Sequence, residues 1–362
     1  DWVVGEGGLA LVSDDRGYSW KAPPSPLPLG ATENFDFSAV AVGPNGYAWI
    51  AGAPGSRVFR TSDYGRNWES CSTGSFAPIR SMAFVNPLVG WAVGDFGTIL
   101  GTKDGGATWN TQRSGGARAA ILGLFTDAND VPMELITLHS GNEGYLSVIE
   151  VLGRRDIETP PLQTVSSIDR LYEAMLRCGG CGAERAWRFP LRQEGLAVPL
   201  DEVARGWDSA NDGDGVNRFR EQLVRAIRMW RPETILMSYG HAQSPDAAIG
   251  SSDQLEEFLS SMILAAAAEA ADPTIFSDQI AQAGLEAWAV KRIHGVTGPN
   301  YVGELTLDSS ELAVRLGRSI EDASAEANAL LELDTAIGGP IRDMSQTIGI
   351  ETLFGETPVI PA

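Results

Sequence analysis

Cysteine and histidine are scarce in this chain of 362 residues, with 3 of each. Three cysteines (Cys71, Cys178 and Cys181) are too few for a disulfide framework. The pair Cys178-Gly-Gly-Cys181 is a lone Cys-x-x-Cys, without the second pair or nearby histidines that a zinc site usually has. It reads either as two small residues around a Gly-Gly helix stop or as a disulfide or metal pair. Long apolar runs are missing too. None approaches the roughly 18 residues needed to span a bilayer, and the longest, Met262 to Ala271, contains Glu269 and reads as a buried helix. Positive charge is in deficit: 27 Lys and Arg against 47 Asp and Glu give a net charge of −20. That balance excludes nucleic acid and anionic membrane surfaces as partners. The sequence opens with neither an initiator Met nor a signal peptide. The expectation is a fragment or processed product, belonging to a larger complex or a longer chain.

What is present is a phrase written three times. Each copy opens with Trp-x-x-Gly-x-x-Gly: Trp2-Gly5-Gly8, Trp49-Gly52-Gly55 and Trp91-Gly94-Gly97. Each closes with Ser/Thr-x-Asp-x-Gly-x-x-Trp: Ser13-Asp15-Gly17-Trp20, Thr61-Asp63-Gly65-Trp68 and Thr102-Asp104-Gly106-Trp109. Between copies lie short strand-like runs, such as Phe37 to Val42, Tyr47 to Ala51 and Val58 to Thr61. A repeat of roughly 40–50 residues made of strands signals a propeller blade. In the closing phrase the Asp is expected to accept backbone N–H groups and the Gly to take positive φ. The Trp is expected to cap the apolar layer.

The closing phrase is the Asp-box, or BNR repeat. With its opening it resembles the propeller family of photosystem II assembly and stability factors, over about residues 1–115. Three blades do not close a ring, since propellers have about four to eight, so the ring is expected to be incomplete. Some Asp-box propellers are glycosidases that gather arginines around a carboxylate. Arg57, Arg60, Arg66, Arg80 and Arg113 are available here, but their spacing marks no cluster.

After Ser114-Gly115-Gly116 the pattern changes. Ala119 to Phe125 is a continuous apolar run suited to a buried parallel strand. Further strands are expected over 146–152, 187–191, 234–238 and 290–294. Helices are expected over 131–140, 167–178, 216–230 and 252–271. Alternating strands and helices predict an α/β, Rossmann-like domain with a mostly parallel sheet. Its ligands would sit beyond the strand ends, at Thr126–Asp130 and after Ser238. The expected organisation is three propeller blades over 1–116, the α/β domain over 118–297, and a C-terminal extension over 298–362 with one helix, Ser309 to Leu333.

The order Ile121–Phe125, Glu143-Gly144-Tyr145, Arg170 to Ala174, Arg231 to Ile235 and Ala270 to Pro273 is similar to the PIG-L/LmbE-like deacetylases, zinc hydrolases of N-acetylated amino sugars. Where that family has His-Pro-Asp-Asp, this chain has Asp127, Ala128, Asn129 and Asp130. Where it has His-x-Asp-His, the best match is Ser251, Ser252, Asp253 and Gln254. The resemblance therefore implies a degenerate metal site, with Asp127, Asp130 and Asp253 as its remnant and Asn129 in place of the general base. A hydrolytic zinc site needs three protein ligands and a group that takes a proton. Those three carboxylates would otherwise form an oxygen site for a harder cation. Asn211 to Gly215 lacks the spacing of a calcium loop and reads as a turn. His139 and His294 read as structural.

The expectation is a non-catalytic, extracytoplasmic interaction or scaffold protein, a pseudoenzyme that binds protein or carbohydrate without a cofactor. The alternatives are a zinc- or other divalent-cation-dependent deacetylase with an atypical ligand set, and an Asp-box glycosidase.

Overall fold

The computed structural model describes residues 1–152, 167–186, 189, 199–239, 251–297, 303–332 and 347–355. They form two compact units. The first holds residues 1–118 together with Arg228–Trp230 and Asp272–Trp288; the second holds the remainder.

In the first unit each copy of the repeat becomes an antiparallel meander. Copy one contributes β1 (Trp2–Gly5) and β2 (Leu9–Val12), with Lys21 bridged to Val12. Copy two is a four-stranded sheet of β3 (Asp36–Val42), β4 (Ala48–Ala53), β5 (Arg57–Thr61) and β6 (Glu69–Ser72), ordered as in the chain. Copy three repeats it with β7 (Ile79–Phe84), β8 (Gly90–Gly94), β9 (Thr98–Thr102) and β10 (Asn110–Arg113). Period-two alternation gives each sheet two faces. Ala39, Trp49 and Ala51 from one face of copy two join Met82, Ala92, Leu100 and Trp109 from copy three in a single apolar cluster. The opening glycines allow close backbone approach. A Cβ at Gly52 would meet the Asp36 carbonyl oxygen of the paired strand β3, and one at Gly55 the Ala77 carbonyl oxygen just ahead of copy three.

The second unit is built on a seven-stranded sheet. Its strands are β11 (Ile121–Phe125), β12 (Ser147–Val151), β13 (Gly182–Arg185), β14 (Thr234–Ser238), β15 (Arg292–Val296), β16 (Leu305–Asp308) and, paired with it, β19 (Thr347–Phe354). The short pair β17 (Leu312–Ala313) and β18 (Arg318–Ser319) stands apart. The sheet order is β13-β12-β11-β14-β15-β19-β16. All pairs from β13 to β15 are parallel, and the two pairs made by β19 are antiparallel. β11 is buried at every position, as its unbroken apolar run requires. Ile121, Phe125, Ile149 and Val151 face a cluster with Leu171 and Met175 of helix Ser167–Arg177 and with Ala327 and Leu331 of helix Ile320–Glu332. Glu150 alternates to the opposite face, where Gln222 of helix Gly215–Trp230 donates to it at 3.1 Å. Helices therefore cover both faces.

Several expectations need correction. The C-terminal helix starts at Ile320, not Ser309. Asp308 draws the chain into a turn by accepting the Ser310 amide at 2.9 Å, and Gly317 at φ 68° closes a small hairpin. The Ser319 hydroxyl then accepts the Asp322 amide and starts the helix. The extension also supplies β16 and β19 to the sheet. Helix Met133–Ile136 is short, and the turns after it widen, with the Glu143 amide reaching back to the Leu138 carbonyl. Helix Leu200–Ala210 had no expectation attached. The strand expected over 187–191 falls outside the described residues, apart from Phe189.

Candidate functional site

The three closing turns are built alike. Ser13, Thr61 and Thr102 donate their hydroxyls to Asp15, Asp63 and Asp104 at 2.7, 2.9 and 2.8 Å. Each hydroxyl also accepts the amide of Gly17, Gly65 or Gly106. Those glycines sit at φ 87°, 79° and 84°, a backbone that a Cβ would strain. Each carboxylate then spans the turn to Ser19, Asn67 or Thr108 through both backbone N–H and side chain. Side-chain hydrogen bonds from Ser19, Asn67 and Thr108 are the main reason these aspartates are held down to about 2. Their roles are structural staples, as the pattern predicts.

That arrangement sets a pH dependence. Each carboxyl titrates lower in the fold than its ordinary 3.8, so the fold binds fewer protons than the unfolded chain. The stabilisation is whole above an ordinary carboxyl pKa and drains away as pH falls toward 2. Thermal melts between about pH 5 and 2 should show the first unit weakening over this window. The combined Asp15→Asn, Asp63→Asn and Asp104→Asn variant should show a shallower slope there.

The closing tryptophans do not all cap an apolar layer. Trp109 is buried, whereas Trp68 is half-buried and Trp20 is exposed. Three of the five candidate arginines have local partners. Arg60 pairs with Glu69 at 2.6 Å and donates to the Asp104 and Gly105 carbonyls. Arg80 makes a two-pronged pair with buried Asp95, at 3.0 and 2.6 Å. Arg66 donates to the Asp63 carbonyl. The partners of the three are separate from one another.

In the second unit, β11 and β14 are adjacent while β12 lies on the other side of β11. The chain therefore changes direction at β11, and the crevice beyond its carboxyl end is where such folds bind ligands. Asp127 to Asp130 occupy that position. They form a single tight turn: the Asp127 carboxylate accepts the Asn129 amide at 2.8 Å, and the Asp130 amide donates to the Asp127 carbonyl. Asp130 is exposed. The side chain of Asp253 and all of 240–250, including His241, lie outside the described residues. Among the described residues no three His, Cys, Asp or Glu side chains gather as a metal site would require. At this turn Asn129 has no basic atom, and one Asp127 oxygen accepts a backbone amide.

The remaining candidates have structural surroundings. His139 pairs with Glu143 at 2.8 Å. His294 is buried in β15, and burial, helped by Arg292, pulls its pKa below the ordinary value. Helix Ser167–Arg177 ends with Gly179 at φ 83°, and among the described residues Cys178 and Cys181 form no disulfide. In the Asn211–Gly215 turn, Asp208 accepts the Gly215 amide at 2.8 Å. Two residues that stand out only in three dimensions are Glu150 and Arg228, both buried. The available signal was a charge inside an apolar stretch: Glu150 in Ser-Val-Ile-Glu-Val, and Arg228 one helical turn after the buried Val224.

No protein-family model matches the chain, and no curated protein matches it. Solved structures similar to it include "YCF48 bound to D1 peptide", at 24% identity and a TM-score of 0.28, over 32% of this chain and 39% of that one. Another is the conserved protein TT1542 from Thermus thermophilus, at 14% identity and a TM-score of 0.39, over 67% of this chain and 97% of that one. A third is N,N'-diacetylchitobiose deacetylase from Pyrococcus horikoshii, at 13% identity and a TM-score of 0.38, over 64% and 83%. This chain thus spans well under half of the YCF48 structure, and each likeness is partial. No helix among the described residues is long and apolar enough to cross a membrane.

Proposed function

We propose that this chain is a non-catalytic interaction protein working outside the cytoplasm, in which propeller-type repeats and a deacetylase-like α/β domain present surfaces to protein or carbohydrate. The observation that carries this reading is the turn at the carboxyl end of β11. Asp127 spends a carboxylate oxygen on the Asn129 amide, and Asn129 stands where a hydrolase would place its base. An amide side chain takes up no proton near neutral pH, so water activation has no acceptor there. The separate local partners of Arg60, Arg66 and Arg80 argue in the same direction against glycosidase chemistry in the repeats. On this reading the protein works without a zinc ion or other cofactor.

Elemental analysis of the purified chain tests this, run beside acetate release from N-acetylglucosamine oligomers with zinc added. The expected result is no stoichiometric transition metal and no acetate release above that of Asp130→Ala. Stoichiometric zinc together with acetate release, both lost in Asp130→Ala, would establish the deacetylase instead.

A further inference from the structure

Helix Ser167–Arg177 runs into a turn of two glycines between two cysteines, Cys178-Gly179-Gly180-Cys181. The turn itself explains the glycines. The Gly179 amide donates to the Leu176 carbonyl at 3.1 Å and the Gly180 amide to the Met175 carbonyl at 2.7 Å, the paired bonds of a Schellman cap. Gly179 holds the positive φ of 83° that such a cap needs. A Cβ on Gly179 would also come within 2.7 Å of the Gly141 backbone. Cys181 is then fixed by its amide, which donates to the Ser147 carbonyl at 2.8 Å, and β13 begins at the next residue.

Capping the helix calls for neither cysteine. Cys178 is buried, while Cys181 is half-buried, and both are thiols. A thiol that reaches the surface gains little from packing and is open to reagents. The two residues between the cysteines bring no side chains, and glycine accepts backbone torsions that other residues do not. A ring through the two sulfurs can therefore close with the helix on one side and β13 on the other left in place. Cys71 is the contrast within the same chain. It is buried in β6, no other cysteine lies near it in sequence, and burial pushes its thiol up.

We propose that Cys178 and Cys181 form a reversible dithiol–disulfide site, oxidised by exchange with a small disulfide of the glutathione type. Cys181, the accessible thiol, reacts first. Its thiolate attacks one sulfur of the small disulfide, the old S–S bond breaks, and one glutathione leaves and takes up a proton. Cys178 then loses its proton and attacks the Cys181 sulfur of the mixed disulfide. The second glutathione leaves with that proton, and the two cysteines have passed two electrons to the small disulfide. The place of the pair in the helix sets its character. Cysteines of fast oxidoreductases stand at helix N-termini, where the positive end favours a thiolate. This pair stands at the opposite end, where the partial negative charge works against one. Exchange is therefore slow in both directions, and the closed ring is a poor source of a leaving thiolate. The site is a redox-set clamp between helix Ser167–Arg177 and β13, not the centre of an oxidoreductase.

Incubating the folded chain in mixtures of oxidised and reduced glutathione, then quenching in acid and alkylating under denaturing conditions, tests it. As the mixture becomes more oxidising, the thiol count should fall from three to one, with Cys71 the survivor. The intact mass should drop by two hydrogens, and the peptide that carries Cys178 and Cys181 should be internally linked. Hydrogen exchange over residues 178–185 should slow in the oxidised form, and dithiothreitol should restore both the thiols and the faster exchange. Cys178→Ala should halt with one glutathionyl group on Cys181, because attack begins there and cannot finish. Cys181→Ser should leave Cys178 reacting far more slowly than the wild type. A wild type that keeps three thiols in the most oxidising mixture would overturn the proposal. So would one that ends with glutathione held on Cys181 and no ring, or that loses Cys71 first. The wild-type masses decide the matter even if Cys178→Ala, changed at a buried position, does not fold.

Discussion

Trp49→Ala is expected to cost the first unit about 3–5 kcal/mol, the range for deleting a large aromatic from a packed core. Trp49 has no exposed surface, stacks on Phe84 with ring centroids 3.7 Å apart, and lies at the centre of the cluster shared by copies two and three. Removing it takes away the stack, opens a cavity between two sheets, and strips a donor from the Gly105 carbonyl. Trp49→Phe separates these effects. It retains most of the stacking and loses the indole donor, while Arg60 still donates to the Gly105 carbonyl at 3.0 Å. Its cost should be about 1–2 kcal/mol, mostly lost volume and one hydrogen bond. Urea unfolding of wild type, Trp49→Ala and Trp49→Phe checks the order. Equal losses in both variants would mean that the hydrogen bond, and not the packing, holds the copies together.

Arg228→Met should destabilise the first unit by about 3 kcal/mol, because hydrogen bonds from a charged donor are worth more than neutral ones. Unmaking them strips four acceptors, of which the Gln279 side chain is buried and the three carbonyl bonds are part-buried. Arg228 is fully buried. Its guanidinium donates to the carbonyls of Asp272, Ile275 and Phe276 and to the Gln279 side chain, at 2.7 to 3.1 Å. One side chain thus gathers the turn that leads into helix Ser277–Ala281. Methionine matches the stem in length and brings no donors, so the carbonyls lose their partner without a change in apolar packing. Arg228→Lys keeps the charge but not the planar fork, and should recover only part of the loss. Hydrogen exchange across 272–288, together with a urea titration, would read the effect. Unchanged exchange in that segment would show that the guanidinium contributes little there.

The readable part of this chain was its local chemistry. The closing turns need only residues a few positions apart, so Asp63, Gly65 and Thr61 announced their hydrogen bonds in advance. The apolar run Ile121–Phe125 likewise announced a strand buried on both faces. Burial of the tryptophans was illegible for a physical reason: identical motif positions are buried only where another copy lies against them. Hence Trp49 and Trp91 look alike in sequence and differ in the fold. Arg228 was illegible because its acceptors lie more than forty residues downstream, joined by no periodic pattern. At the candidate site the sequence showed the substitutions from His-Pro-Asp-Asp to Asp127, Ala128, Asn129 and Asp130. It did not show that the Asp127 carboxylate folds back onto the Asn129 amide. The join of β16 to β19 was missed since alternation in either segment says nothing of its partner.

The placement of β19 has a consequence for how the chain is made. Among the described residues Leu305–Asp308 pairs only with Thr347–Phe354, which is itself seated against Arg292–Val296. A ribosome therefore delivers the strand nearest the centre after the strand it must shelter. Until residue 354 emerges, one edge of the parallel sheet and the whole of Leu305–Asp308 wait with unpaired backbone, the state in which nascent sheets are most prone to wrong partners.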